Sequence, residues 1–297
     1  MSKKRFLKRE IPWVLFILPA LIVYCIVVVI PTVQTLGYSF TDYNGFSSDF
    51  SFVGLKNYLM VFENKDALVS IRNSLVYGIS VPILVTLFAI PLALILNSNI
   101  KSKNILRAVF FFPSVISTLF LGYIWKFILS SSSTGLINSL RLKAGKEILL
   151  LLADPKLAMI FLILITVWSS TGWHACIYIA NLQTISHDYY EAATLDGATP
   201  WHKFRYITFP MLAPSMTSSV LLLLTGSLKA YDLPYALTGG GPGNSTTMIT
   251  QTIIEEGVTA NRVGYASSMS FIFLILIAVI TVSLTAYMNK RERALYE

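Results

Sequence analysis

Charge is scarce in this chain. Asp, Glu, Lys and Arg make up 13% of its 297 residues, against roughly 25% in an ordinary soluble domain. A soluble fold of this length needs far more polar surface, so a water-soluble enzyme or binding domain is excluded. Cysteine is nearly absent. Cys25 and Cys176 both lie in apolar runs, without CxxC or ligand spacing, which argues against a disulfide framework and a zinc site. No GKS or GKT phosphate loop occurs, and no soluble stretch is large enough for a nucleotide fold. The chain therefore has no means of hydrolysing ATP itself. Acidic residues are almost missing from the apolar runs. An ion-coupled secondary transporter normally carries such groups at depth, often in two repeated halves, and no half-to-half repeat is evident here.

What is abundant is apolar surface: 55% of residues, with mean hydropathy +0.65. A hydrocarbon core about 30 Å thick needs about 20 residues of apolar helix. Six runs qualify, at roughly 11–34, 74–97, 108–129, 157–180, 211–232 and 264–288. The expected class is all-α, a polytopic membrane protein with six transmembrane helices. Ile148 to Ala153 is too short to span and is expected to pack at the interface. The first run follows a basic head but exceeds a signal peptide's apolar core and lacks a small-x-small cleavage site, so it reads as an uncleaved span. Pro19, Pro82, Pro91, Pro113 and Pro214 fall in or at the ends of runs, as bundles in lipid tolerate.

The net charge of +8 is read as orientation rather than nucleic-acid binding. With the N-terminus in the cytoplasm, the inside basic residues are Lys3, Lys4, Arg5, Lys8, Arg9, Lys101, Lys103, Arg107, Lys203, Arg205, Lys290, Arg291 and Arg293. The outside set is smaller: Lys56, Lys65, Arg72, Arg141, Lys143, Lys146, Lys156 and Arg262. Head and tail carry most of this bias, which predicts both termini in the cytoplasm.

Between the fourth and fifth runs, Asn181 to Pro210 is too polar to span. Ser186 is placed to cap a helix, with Asp188 and Glu191 near its positive end. Gly197 suits a left-handed C-terminal residue. Thr199-Pro200 reads as the cap and first residue of a second helix, with Lys203 and Arg205 late in it. Ala192, Ala193, Leu195 and Ala198 supply small packing surfaces. From these residues alone, a docking knuckle and an ordinary hairpin between spans are equally good readings.

The fourth run has a polar, aromatic middle, Trp168-Ser169-Ser170-Thr171-Gly172-Trp173-His174. Polar groups at that depth usually face a bundle interior or a wet cavity. Trp168 and Trp173, with Tyr123, Trp125 and Tyr231, are candidates for lining a substrate pathway, since aromatic faces with polar groups between them suit a ring-bearing polar ligand. Helix packing competes, and is the better account of Ser169, Ser170 and Gly172. His174 reads as a satisfied packing histidine rather than a proton relay. Ser170 and His174, four residues apart, are the sole hint of an intramembrane enzyme, and no catalytic residue or metal ligand is assigned. Lys126 is expected to snorkel. Lys229 and Asp232 are expected to pair on one helical face, lining the outer mouth or serving structure alone. Gly239-Gly240-Gly241-Pro242-Gly243 lacks a phosphate-loop ending and reads as a bent outer loop.

Glu191-Ala192-Ala193, three residues, Gly197, nine residues, then Ile207-x-Phe209-Pro210 resembles the signature loop of permease subunits in binding-protein-dependent ABC importers. Phe209 stands where Leu is commoner, and Ser186 where sugar-importer members often have Pro. Tyr38-Ser39-Phe40-Thr41-Asp42-Tyr43 and Phe52-Val53-Gly54-Leu55-Lys56-Asn57-Tyr58 resemble the maltose-type and glycerol-phosphate-type permeases. So do Pro113, Ser117, Gly122, Trp125, Gly135 and Asn138, and Tyr231-Asp232-Leu233 with Leu237 to Pro242.

The resemblance implies a type I ABC importer permease fold, one transmembrane domain over 1–297 with core helices at about 70–290. It implies a cytoplasmic coupling loop at 186–210, in which Glu191, Ala192, Ala193, Asp196, Gly197, Ile207 and Pro210 meet the ATPase. The implied function is ATP-driven import of a sugar or oligosaccharide across a bacterial inner membrane. A polyol or glycerol phosphate is the alternative cargo, and an ion-coupled transporter a remote one. Implied partners are a second permease, a dimer of ATP-binding subunits, a periplasmic or lipid-anchored solute-binding protein and membrane lipids, with no nucleic acid. No cofactor is implied for this chain; ATP is used by the partner subunits.

Overall fold

A computed structural model describes residues 3–293, with side chains from Trp13 to Glu292. The basic side chains Lys3, Lys4, Arg5, Lys8, Arg9 and Arg293, which weigh heavily in the expected orientation, lie outside the described side chains. Among the described residues there is no strand, only an isolated bridge between Thr41 and Phe52. In chain order the helices are α1 (Lys3–Tyr24), α2 (Ile30–Tyr38), α3 (Lys56–Glu63), α4 (Lys65–Asn97), α5 (Lys103–Phe111), α6 (Thr118–Leu129), α7 (Leu136–Lys143), α8 (Pro155–Leu182), α9 (His187–Leu195), α10 (Pro200–Lys203), α11 (Phe209–Met211), α12 (Ala213–Leu228), α13 (Asp232–Thr238), α14 (Ile249–Ile254) and α15 (Val263–Arg293).

Four stretches are long and apolar enough to cross a membrane: Trp13–Tyr38, where α1 runs through a π turn into α2, then α4, α8 and Val263–Glu292. The other two expected spans are broken. The run expected at 108–129 bends by 94° between Lys103–Val115 and Thr118–Leu129. Pro113 removes a donor there, and Ile116 and Ser117 are extended. The run expected at 211–232 is α12, which meets Pro200–Met211 at 62° and stops at Leu228. Six crossings result when each bent pair counts as one span. The 16 residues of α12 rise about 24 Å, short of the roughly 30 Å of hydrocarbon. Ile148 to Ala153 forms no helix. Buried Asn138 holds it by bonding both the amide and the carbonyl of Leu149.

The described residues form two units, with boundaries inside α14 and α15. The first takes the chain up to Asn64 and Ile253–Ile272. Here the two aromatic segments quoted above meet. Val53 N donates to Phe40 O at 2.8 Å. Buried Asn57 donates to Ser39 O and Thr41 O at 3.0 and 2.8 Å. The Ser39 and Tyr58 hydroxyls lie 2.7 Å apart. Gly264 must lack a side chain, because a Cβ there would overlap Thr41 O.

The second unit takes Lys65–Thr252 and the chain from Phe273 onward. Its core is the packing of α4, α8 and α12, centred on Val81, Val85, Ala89, Leu162, Ala175 and Tyr178. Small residues let helices approach: a Cβ on Gly172 would overlap Phe110 O, and one on Gly122 would crowd Ala236. Gly172 is thus a packing residue. The glycine loop after α13 is pinned to α4, with Asn73 donating to Asn244 O and Thr247 O at 2.8 and 3.1 Å. Gly240 backs onto Thr247 and Gln251 rather than opening an anion cradle.

Candidate functional site

The polar insert between α8 and α12 folds as a tight elbow. Ser186 Oγ accepts from Asp188 N at 3.3 Å and starts α9. Thr199 Oγ1 accepts from His202 N at 3.3 Å and starts α10, with Pro200 in its first turn. Between them Gly197 takes φ +76°. Ala198 N donates to Ala193 O at 2.8 Å, and Gly197 N to Thr194 O at 3.0 Å, the paired bonds of a Schellman ending. The expected second helix is shorter than its sequence suggests. After Lys203 the chain passes into a π turn over Phe204–Thr208, so Arg205 lies in that turn.

Two side-chain bonds tie the arms of the elbow. Lys203 Nζ donates to Thr194 Oγ1 at 2.7 Å, and the Tyr190 and Thr208 hydroxyls are 3.0 Å apart. Nothing on α9 is buried. Glu191, Ala192, Asp196 and Gly197 are exposed, while Ala193, Ile207 and Pro210 are half-buried. Leu195 is 90% exposed, and Trp201 and Tyr206 are exposed as well.

The second feature is a cavity of about 510 Å³ in the half of the bundle away from the elbow. Tyr77 and Val81 of α4, Thr166, Ser169, Ser170, Trp173 and His174 of α8, and Leu222, Leu223, Gly226 and Ser227 of α12 form its walls. Lys229, Tyr231 and Asp232 form part of its rim. The Tyr77 and Thr166 hydroxyls are 2.7 Å apart. A smaller hollow of about 260 Å³ opens where α5 and α6 break, sharing Thr118, Ser169, Ser170, Trp173 and His174. The pair of hollows offers one indole, two phenols, an imidazole and several hydroxyls among apolar walls. Such a lining can stack on rings and hydrogen-bond polar groups between them.

Of the five aromatic candidates, Trp173 and Tyr231 reach the cavity. Trp125 and Trp168 instead meet each other, edge to face at 5.6 Å, and Tyr123 is exposed on α6. Contrary to the expectation from their spacing, Lys229 and Asp232 do not share a helical face. α12 ends before Lys229 and a new helix starts at Asp232. Asp232 Oδ2 accepts from Thr118 Oγ1 at 3.3 Å. Sequence reasoning did not single out Tyr77, Thr118, Thr166 and Ser227. Their shared signal is a hydroxyl within or at the end of an apolar helix.

Elbow and cavity are joined by α8 and α12, and two side-chain bonds lock these helices together. Ser215 Oγ donates to Asn181 Oδ1 at 2.9 Å near the elbow. Farther along, His174 Nδ1 and Ser219 Oγ are 2.8 Å apart, both buried. His174 is therefore a satisfied histidine, as expected, and a cavity wall as well.

Residues 72–294 match the family model described as "Binding-protein-dependent transport system inner membrane component". Across 98% of this chain and 99% of the relative, 33% of residues are identical to a probable starch degradation products transport system permease protein, AmyD, of Thermoanaerobacterium thermosulfurigenes. The trehalose/maltose transport system permease protein MalF of Thermococcus litoralis is 30% identical over 95% of this chain and 94% of its own. Among solved structures, a bacterial alginate ABC transporter, in complex with its alginate pentasaccharide-bound periplasmic protein, has a chain that superposes with a TM-score of 0.81. That match is 21% identical and covers 99% of this chain and 98% of the other. It shows the same fold, that of an ABC importer permease.

Proposed function

The chain belongs to the family of binding-protein-dependent transport system inner membrane components, and on that premise we propose that it carries a sugar or oligosaccharide inward through the cavity above. The chain is the membrane component of its system, and a separate subunit hydrolyses ATP. The observation that carries the cargo is the cavity itself: Trp173 and Tyr231 beside the hydroxyls of Tyr77, Thr166, Ser169 and Ser170. Aromatic faces take sugar rings, and hydroxyls replace the lost water. Relatives named for starch products and for trehalose and maltose support the same cargo class.

The elbow is the handle. Glu191, Ala192, Ala193, Asp196 and Gly197 present its tip to a cleft in the ATP-binding subunit, and Ile207 and Pro210 seat its base. Closure of two ATP-binding subunits moves the elbow, and α8 and α12 pass that motion to the cavity as a rigid pair. In this reading residues 1–297 act as one permease domain beside a second, different permease. Both termini and the elbow face the cytoplasm, and the solute-binding protein delivers sugar at the opposite face.

The test is affinity purification of the tagged chain from its own membrane, followed by reconstitution. An ATPase and a second permease should co-purify, and sugar-loaded binding protein should raise ATP hydrolysis. A Glu191→Cys variant should crosslink to the ATPase. The reading fails if the lone chain moves sugar on a proton or sodium gradient, or if Glu191→Cys is labelled only from outside.

A further inference from the structure

A hollow of about 470 Å³ lies at the elbow end of the bundle and shares no residue with the sugar cavity. Ile83, Leu87 and Pro91 of α4, Met216 and Val220 of α12, and Phe209 at the elbow's foot line it, and Thr86 supplies its only hydroxyl. Ile83 and Leu87 are exposed. Its α4 wall runs from Pro82 to Pro91, which at 1.5 Å per residue is about 13 Å. That is close to the roughly 15 Å of one hydrocarbon leaflet.

The charge lies at one end. The Arg291 guanidinium sits 5.4 Å from the centroid of the Phe209 ring, which is a wall of the groove. Lys290 and Arg205 are exposed. No acidic side chain lines the groove, and no ion pair holds Arg291 among the described residues. An apolar slot of leaflet length ending at a cation matches a lipid carrying a negative head. Basic pockets between spans at a cytoplasmic face select such heads.

We propose that this groove binds one anionic phospholipid of the inner leaflet, with an acyl chain between α4 and α12 and its phosphate on Arg291. The groove's floor includes Phe204 and Phe209, where the π turn of the elbow enters α11. The lipid therefore braces the joint on which the elbow swings. The proposal rests on the membrane reading of the chain and on the elbow facing the cytoplasm, not on the identity of the cargo.

The assembled transporter, extracted in mild detergent, is exposed to phosphatidylglycerol or phosphatidylcholine, and retained lipid is counted by native mass spectrometry. Wild type should hold phosphatidylglycerol at least fivefold better. Arg291→Gln, a surface change that leaves assembly intact, should erase that preference. Val220→Trp, which fills the slot, should lose both lipids. Equal retention of the two lipids by wild type, or an unchanged preference in Arg291→Gln, overturns the proposal. So does a crosslink from Leu87→Cys to another subunit, which would show a protein in the groove. Lipid counting is read apart from sugar uptake, so failure here leaves the transport reading intact, and the reverse.

Discussion

The elbow and the cavity are built in opposite ways. The elbow draws on one continuous segment, 186–210, and its bonds are mostly local: two caps, one glycine and two ties between its arms. The cavity draws on α4, α6, α8, α12 and α13, from Tyr77 to Pro234. Apart from Tyr231-Asp232-Leu233 at its rim, none of its walls is a motif. The part proposed to fit a separate protein is a short, locally bonded shape carried on the surface. The part proposed to hold sugar is what remains when several helices fail to fill the space between them.

The comparison breaks most sharply at Gly197. Its φ of +76° is closed to proline, which holds φ near −65°. A Cβ at this position would meet no atom within 4 Å, so the constraint is the backbone alone. Gly197→Pro should abolish sugar uptake while the cavity and membrane insertion survive. Gly197→Ala, which costs about 1 kcal/mol for a left-handed residue, should retain most of its uptake. If the proline variant transports normally, the elbow is a mere hairpin.

On α8, two tryptophans five residues apart separate the proposed sugar contact from packing. Trp173 lines the hollow, whereas Trp168 packs on Trp125. An aromatic contact is worth about 0.5–1.5 kcal/mol, and each 1.4 kcal/mol is about tenfold. Trp173→Ala should lower uptake per assembled complex up to about tenfold. Trp168→Ala should leave uptake within about twofold and instead lower thermal stability in detergent. Equal losses in uptake and assembly for Trp173→Ala would return that residue to packing.

The same contrast explains what was legible in the sequence. Ser186, Gly197, Thr199 and Pro200 each act on their nearest neighbours, so their types alone foretold both caps and the turn between them. Hydropathy foretold where apolar helix lies but not where it bends. Pro113 was visible, yet the 94° break depends on Ile116 and Ser117 being extended, and neither residue demands that. Tyr77 and Thr166 are 89 positions apart and meet only because α4 packs on α8. The spacing of Lys229 and Asp232 promised a helical pair, but that rule holds only on an unbroken helix, and α12 stops at Leu228, before both of them, while a new helix starts at Asp232.

The finest test lies between the two regions, on the pair of bonds that ties α8 to α12. Ser219→Ala leaves buried His174 without its hydroxyl partner, a change that costs about 1–3 kcal/mol. Ser215→Ala removes the bond from Asn181, which is only half-buried and able to find water, so its cost should fall near 1 kcal/mol or below. Melting of the assembled complex should rank the two in that order. If α8 and α12 carry elbow motion as one body, Ser219→Ala should also lower the sugar moved per ATP hydrolysed by a few-fold, because that bond lies between the handle and the cavity wall. A variant that melts earlier yet keeps its transport-to-hydrolysis ratio would show that the bond holds the bundle together without carrying the stroke.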